Sequence, residues 1–159
     1  MYVYTVRMAP TSLTTAKVLI QIKPITATIH IISAVINQVT KINASEMLAA
    51  KMSRWTGAFT AGTVTSFTPL KKGNTQDPAS LAVGGTAATG VNATVEPTGG
   101  TEEILEETVW NILNAEWPYV PIPEARITVA NGELFTLKLN TAPAAAMVIG
   151  ATVNYVEFR

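Results

Sequence analysis

The plainest period in the chain lies in its C-terminal third. Ile127 and Val129 alternate with Arg126 and Thr128; Phe135, Leu137 and Leu139 alternate with Thr136 and Lys138. Ile149, Ala151, Val153 and Tyr155 then alternate with Gly150, Thr152 and Asn154. A repeat of two sends one set of side chains to a core and the other outward, so each run predicts a half-buried strand. Asn131-Gly132 marks a tight turn of the hairpin type, and residues 140–143 mark another. Three strands at this spacing predict an antiparallel sandwich or barrel.

The N-terminal part is also β-like. Tyr2 to Met8 is β-branched and aromatic, and Pro10 is expected to break it. In AKVLIQIK, residues 16–23, Ile20 and Ile22 face one way and Gln21 and Lys23 the other, with Pro24 closing the run. ATIHIISAVINQV, residues 27–39, predicts a long buried strand, because β-branched side chains lose rotamer freedom in a helix.

Two stretches read less simply. Residues 43–55, NASEMLAAKMSRW, fit a helix capped by Ser45, or a strand with Leu48, Ala50 and Met52 pointing inward together. TEEILEETVWNILN, residues 101–114, has a helical period that places Ile104, Leu105, Thr108, Val109, Ile112 and Leu113 on one face. Thr101 would cap it, with acids in the first turn. Between these two stretches, residues 56–100 are rich in Gly, Thr, Ala, Pro and Asn. So long a region predicts one or two short strands and an extended excursion over a neighbouring surface.

Composition narrows the function classes. The 159 residues fit one domain with no solenoid repeat, and 48% are hydrophobic. Only 14% are charged and the formal net charge is zero. A surface so poor in charge tends to associate, although Ala, Thr and Gly also lower charge without being sticky. With no basic excess, no nucleic-acid partner is expected. The absence of cysteine rules out disulfides and thiolate chemistry. MYVYTVRMAP lacks the plan of a signal peptide, and APAAAMVIGA, residues 142–151, is too short for a helical span; no membrane partner is expected.

Candidate chemistry is sparse. GAFTAGTV, residues 57–64, has the glycine spacing of a phosphate loop, but Thr63 stands where the lysine must be and no helix follows. The lone histidine, His30, cannot supply a triad or a metal site; with Ile29 and Ile31 on the opposite face, it reads as structural. Glu102, Glu103, Glu106 and Glu107 read as a solvated face rather than a hydrolytic pair. They would also suit a basic partner, such as Arg54 or Lys71 of a neighbouring copy. In EWPYVPIPEAR, Trp117 and Tyr119 fit either a sugar platform or a proline-fixed edge whose aromatics fill core or interface. No catalytic site, metal or cofactor is expected.

Taken in order, YTVRM, KVLIQIKP, ATIHIISAVINQ, GTVTSFTPLKKGNTQDPAS, WPYVPIPEARITVANGELFTLKL and VNYVEF resemble the head decoration, or cement, proteins of tailed bacteriophages. The resemblance runs nearly end to end and carries no catalytic signature. It implies an all-β fold, a single antiparallel β-sandwich of jelly-roll type over residues 1–159, with the long excursion at 56–100. It therefore implies strand, not helix, at Val109 to Trp117, and leaves Glu102 to Glu107 open. It also implies a homotrimer on the capsid exterior, bound to the major capsid protein of a virion. On that reading residues 1–9 form an N-terminal arm or edge strand, offering Tyr2, Tyr4 and Arg7 to the shell. The excursion from residue 67 to 90 offers Phe67, Pro69, Leu70, Lys71, Lys72 and Asp77, and the aromatic edge offers Trp117 and Tyr119. A glycan- or receptor-binding module of a fibre or spike is the alternative.

Overall fold

A computed structural model describes residues 1–40, 45–114 and 116–158. The start of the NASEMLAAKMSRW stretch, at residues 43 and 44, lies outside them. Along the chain the strands are β1 (Tyr2–Leu13), β2 (Lys17–Ile22), β3 (Ile29–Gln38), β4 (Met47–Thr60), β5 (Thr63–Ser66) and β6 (Leu70–Lys71). They continue with β7 (Gly90–Val95), β8 (Thr98–Asn111), β9 (Glu116–Tyr119), β10 (Thr128–Val129), β11 (Leu134–Leu139) and β12 (Met147–Glu157). One sheet runs β10-β3-β12-β1-β6, with β9 also on β3; the other runs β5-β7-β2-β11-β4-β8. All these strand pairings are antiparallel. The protein is an all-β, jelly-roll-like sandwich.

The core lies between the sheets and follows the two-residue period. Tyr4, Val6 and Met8 of β1, Ile149, Ala151, Val153 and Tyr155 of β12, and Phe135, Leu137 and Leu139 of β11 are all buried. In β3 the inward set is Ile29, Ile31, Ala34 and Ile36. Its phase slips by one at Ile32, where a bulge separates the Asn154–Ser33 pair from the Tyr155–Ile31 pair. Leu48, Ala50 and Met52 are wholly buried on β4, so the strand alternative holds there.

β1 departs from the expected arm. It pairs with β12 from Tyr2–Glu157 to Leu13–Met147 and contributes Tyr4, Val6 and Met8 to the core. Its other edge is covered from Val3 to Thr5, where β6 pairs with Tyr4 and Thr5 and Lys72 N–H donates to the Val3 carbonyl at 2.9 Å, so the strand lies one place in from the sheet margin. Pro10 does not end it. The ladder skips between Met8 and Thr11, and a proline is tolerated at such a bulge because its missing N–H is not needed.

The stretch with helical period is also a strand. β8 pairs with β4 from Asn111–Met47 to Thr98–Thr60. One 3-10 turn, Ile112–Asn114, then leads to β9. Nor does the Asn131-Gly132 turn make a hairpin. Gly132 takes φ +84°, as the third residue of a type II turn requires, and Glu133 N–H donates to the Ala130 carbonyl at 3.2 Å. The turn carries the chain from β10 in one sheet to β11 in the other.

The region 56–100 is more ordered than its composition suggests. The outer ends of β4 and β8 break register between Thr56 and Phe59, where Gly57, Gly99 and Gly100 have positive φ. A Cβ on Gly100 would lie 2.5 Å from the Thr56 carbonyl oxygen, so the bend needs glycine there. β4 and β5 sit toward opposite margins of the same sheet, and the bent outer end of β4 carries the chain over the outer face of β2, where Phe59 lies by Lys23 and Gly62 over Gln21. This arch buries Gln21, whose Nε2 donates to the Gly62 carbonyl at 3.0 Å and the Ala88 carbonyl at 2.7 Å. The alternation expected for β2 therefore has two buried faces, Ile20 and Ile22 toward the core and Gln21 beneath the arch.

The later part of the excursion folds back on its own chain. Tyr4 Oη donates to the Pro78 carbonyl at 2.9 Å, and Leu81 N–H donates to Glu157 Oε1 at 2.9 Å. Ser80 bonds both Tyr155 and Glu157, and Ala82 is buried in the core. Because β1 supplies both core side chains and the sheet partner of β12, deleting residues 1–9 is expected to abolish cooperative urea unfolding monitored by tryptophan fluorescence. A truncated chain that unfolds at the wild-type midpoint would show that the strand is dispensable.

Candidate interaction surface

The residues singled out in the sequence do not converge on one site. Tyr4 and Pro69 are buried, while Tyr2 and Phe67 are half-buried and packed against the core. Asp77 closes a local turn by accepting Asn74 N–H at 3.0 Å. Arg7 is exposed and lines a shallow cleft of about 270 Å³ with Asn37 and Thr152, on the outer face of the sheet that holds β1. Leu70, Lys71 and Lys72 form an exposed corner at β6.

Trp117 and Tyr119 sit on the other side of the sandwich, where β9 borders β3. Trp117 is 9% exposed, which leaves no ring face open for a sugar to stack on. Tyr119 is half-buried, and its hydroxyl donates to the Ala125 carbonyl at 3.3 Å. Burial, helped by the nearby Glu106 carboxylate, pushes its phenol above the usual range. The aromatic edge is a packing element that closes the side of the sandwich. His30 is likewise structural in its contacts: Nδ1 lies 3.1 Å from Thr128 Oγ1, and its ring meets Phe158 edge-on at 5.0 Å.

The glutamates of β8 are largely engaged within the chain. Glu102 lies 2.7 Å from Lys51 Nζ and accepts Ser53 Oγ–H at 2.8 Å. Glu103 accepts two bonds from Arg54, at 2.9 and 2.6 Å, so Arg54 has an ion-pair partner within its own chain. Glu107 accepts the Asn140 amide at 2.9 Å. Lys51 stands directly opposite Lys138 on β11, and each lysine has its own glutamate, Glu102 for one and Glu96, at 2.8 Å, for the other. This layer of alternating charge occupies the outer face of the sheet beside the arch.

What the sequence reading missed is apolar. Ile104, Val109 and Leu113 are each more than half exposed, and Leu105 is 36% exposed. Met47 adds to them from β4, and Val120 and Ile122 from the proline-rich segment. Among the described residues β8 is the last strand of its sheet, so the outward backbone groups of a 14-residue strand have no strand partner there. The signal was present in the sequence, because Ile104, Leu105, Val109 and Leu113 are four of the six residues that a helix would have turned toward a core. A cleft of about 320 Å³ opens beside Leu105 and Glu106, bounded by Arg54 and Arg126. The Nε of Arg126 is buried there without a hydrogen-bond partner.

Among the described residues no cluster of three or more His, Asp or Glu is placed to hold a metal. Among them no helix is long and apolar enough to cross a membrane. Comparison with family models, with curated proteins and with solved structures finds no match to this chain.

Glu102 generates a test of the charged layer. Partial burial works to raise its pKa, but the bonds from Lys51 and Ser53 and the charges of Lys51 and Lys138 outweigh it and hold the carboxyl below its ordinary value. A lowered folded-state pKa stabilises the fold above the unfolded value, about 4.3 for a glutamate. That contribution is lost as pH falls through the lower folded value. Glu102→Gln is expected to cost about 1–3 kcal/mol at pH 7, measured by urea unfolding. The gap from wild type should close as the pH drops below that range. A gap that is the same at pH 7 and pH 3 would show that the charge on Glu102 is not what matters.

Proposed function

We propose that this chain is a structural virion protein, a decoration or cement protein of a tailed bacteriophage. On this reading three copies associate on the outside of an icosahedral head and stabilise contacts between major capsid subunits. The chain performs no catalysis and takes no cofactor. It is made in the host cytoplasm and acts on the capsid exterior.

One observation carries the proposal: the apolar strip of Ile104, Leu105, Val109 and Leu113 along an unpaired sheet edge. A sandwich that already closes its own core does not need these side chains for folding, and left in water they are a liability. Burial in an assembly removes that liability and supplies binding free energy. The end-to-end resemblance in sequence and the low charge point the same way. A capsid offers many equivalent sites, so modest contacts at each copy sum over the particle. The sugar-binding alternative loses its main support with the burial of Trp117.

The test uses heads assembled with and without this chain. The proposal expects copies on the order of hundreds per particle, and disruption at a lower temperature when the chain is missing. Val109→Glu leaves the sandwich core untouched and is expected to lower occupancy on heads at least about tenfold. A copy number in the tens, or heads equally robust without the chain, would overturn the proposal.

A further inference from the structure

The two long sides of the sandwich differ in charge as well as in polarity. Residues 1–80 carry eight lysines and arginines against two acids, while residues 81–159 carry three against nine. The fold preserves this asymmetry. Glu106 on β8, Glu116 on β9 and Glu124 just beyond it line the side that bears the apolar strip. These three and Glu107 make no ion pair among the described residues.

The opposite side ends at β6. Lys71 and Lys72 are exposed there, and among the described residues their ammonium groups bond neutral acceptors, the Thr75 carbonyl and Asn154 Oδ1, each at 3.0 Å. Beside them Leu70 is 51% exposed. Glu106 and Glu107 thus sit beside exposed apolar surface on the β8 side, where Arg126 also borders the cleft, and Lys71 and Lys72 sit beside Leu70 at the β6 corner, close to the turn that holds Asp77.

We propose that the β8 side of one copy receives the Leu70–Lys72 corner of the next, head to tail. Leu70 covers the part of the strip at Leu105, and the two lysines meet Glu106 and Glu107. The inference rests on the assembly reading above and names the occupant of the strip as a second copy of this chain. Complementary charge selects this contact over a two-fold one. Antiparallel pairing of two β8 edges about Leu105 would set Glu103 of one copy against Glu107 of the other, and like charges directly opposite are unfavourable. A contact between two different patches is heterologous, and it closes into a ring when the rotation per copy divides a full turn.

Sedimentation of the full chain over a concentration series tests this. Association is expected, weakening as salt rises from about 0.05 M to about 0.5 M because the contact is charge-assisted. The double changes Glu106→Lys with Glu107→Lys, and Lys71→Glu with Lys72→Glu, are each expected to raise the dissociation constant at least about tenfold. All four positions are outside the core, and unchanged unfolding midpoints will confirm that both variants fold. Mixing the two reversed variants restores association, because one acidic corner then faces one lysine-bearing edge. If the glutamate reversal disrupts association and the lysine reversal does not, the contact is not head to tail and the inference falls. A chain that stays monomeric yet still occupies heads overturns this contact while leaving the decoration role standing. Association that follows the reversal pattern without head binding has the opposite meaning.

Discussion

The pairing of the first strand with the last is the constraint on which the sandwich depends. β1 and β12 lie side by side from Tyr2–Glu157 to Leu13–Met147, near the middle of one sheet. β3 is laid against the far edge of β12, and β9 and β10 are laid against β3. Glu157 also holds the excursion by accepting Leu81 N–H. Apart from the short β1–β6 contact, every strand pairing of this sheet needs a strand from the C-terminal half. The cost of closing so long a loop falls on the folding rate more than on the final stability.

The second sheet answers a different problem, a face that would otherwise be open to solvent. The chain passes over that face, and Gln21 ties it to β2 by donating to the Gly62 carbonyl of the crossing and to the Ala88 carbonyl of the loop before β7. Next to the arch, Lys51 and Lys138 are opposite one another and would repel, but the glutamates brought by β8 and by residue 96 separate them. Paired charge and backbone bonding thus cover one part of the sheet. The β8 edge is left with its apolar residues showing, so the same strand both completes the charge layer and presents the adhesive side.

Much of this was legible in the sequence, and the failures have physical causes. Ile149 to Tyr155 and Phe135 to Leu139 announced themselves because each has one face on the core. The run from Glu102 to Leu113 misled because β8 is an edge strand with a bulge: Ser53 faces Ile104 and Met52 faces Glu106, leaving Leu105 as an extra residue. That slip turned a two-residue period into an apparent helical one. Burial of Gln21 was invisible because it depends on an arch formed some forty residues later. Pro10 misled because a bulge, unlike a regular ladder, has room for it. For the candidate contacts, residue type could not tell that Tyr4 and Pro69 are drawn inside while Leu70 to Lys72 stay exposed; Trp117 is buried, as the core-filling reading of the proline-fixed edge expected.

The close pairing of Tyr2 with Glu157 also fixes the geometry of anything joined to this domain. A segment fused ahead of β1 and one fused behind β12 would leave from the same pole of the sandwich, a few ångströms apart. The domain behaves as a pedestal with a single mounting point, and cargo carried at either end would share one direction relative to the β8 side.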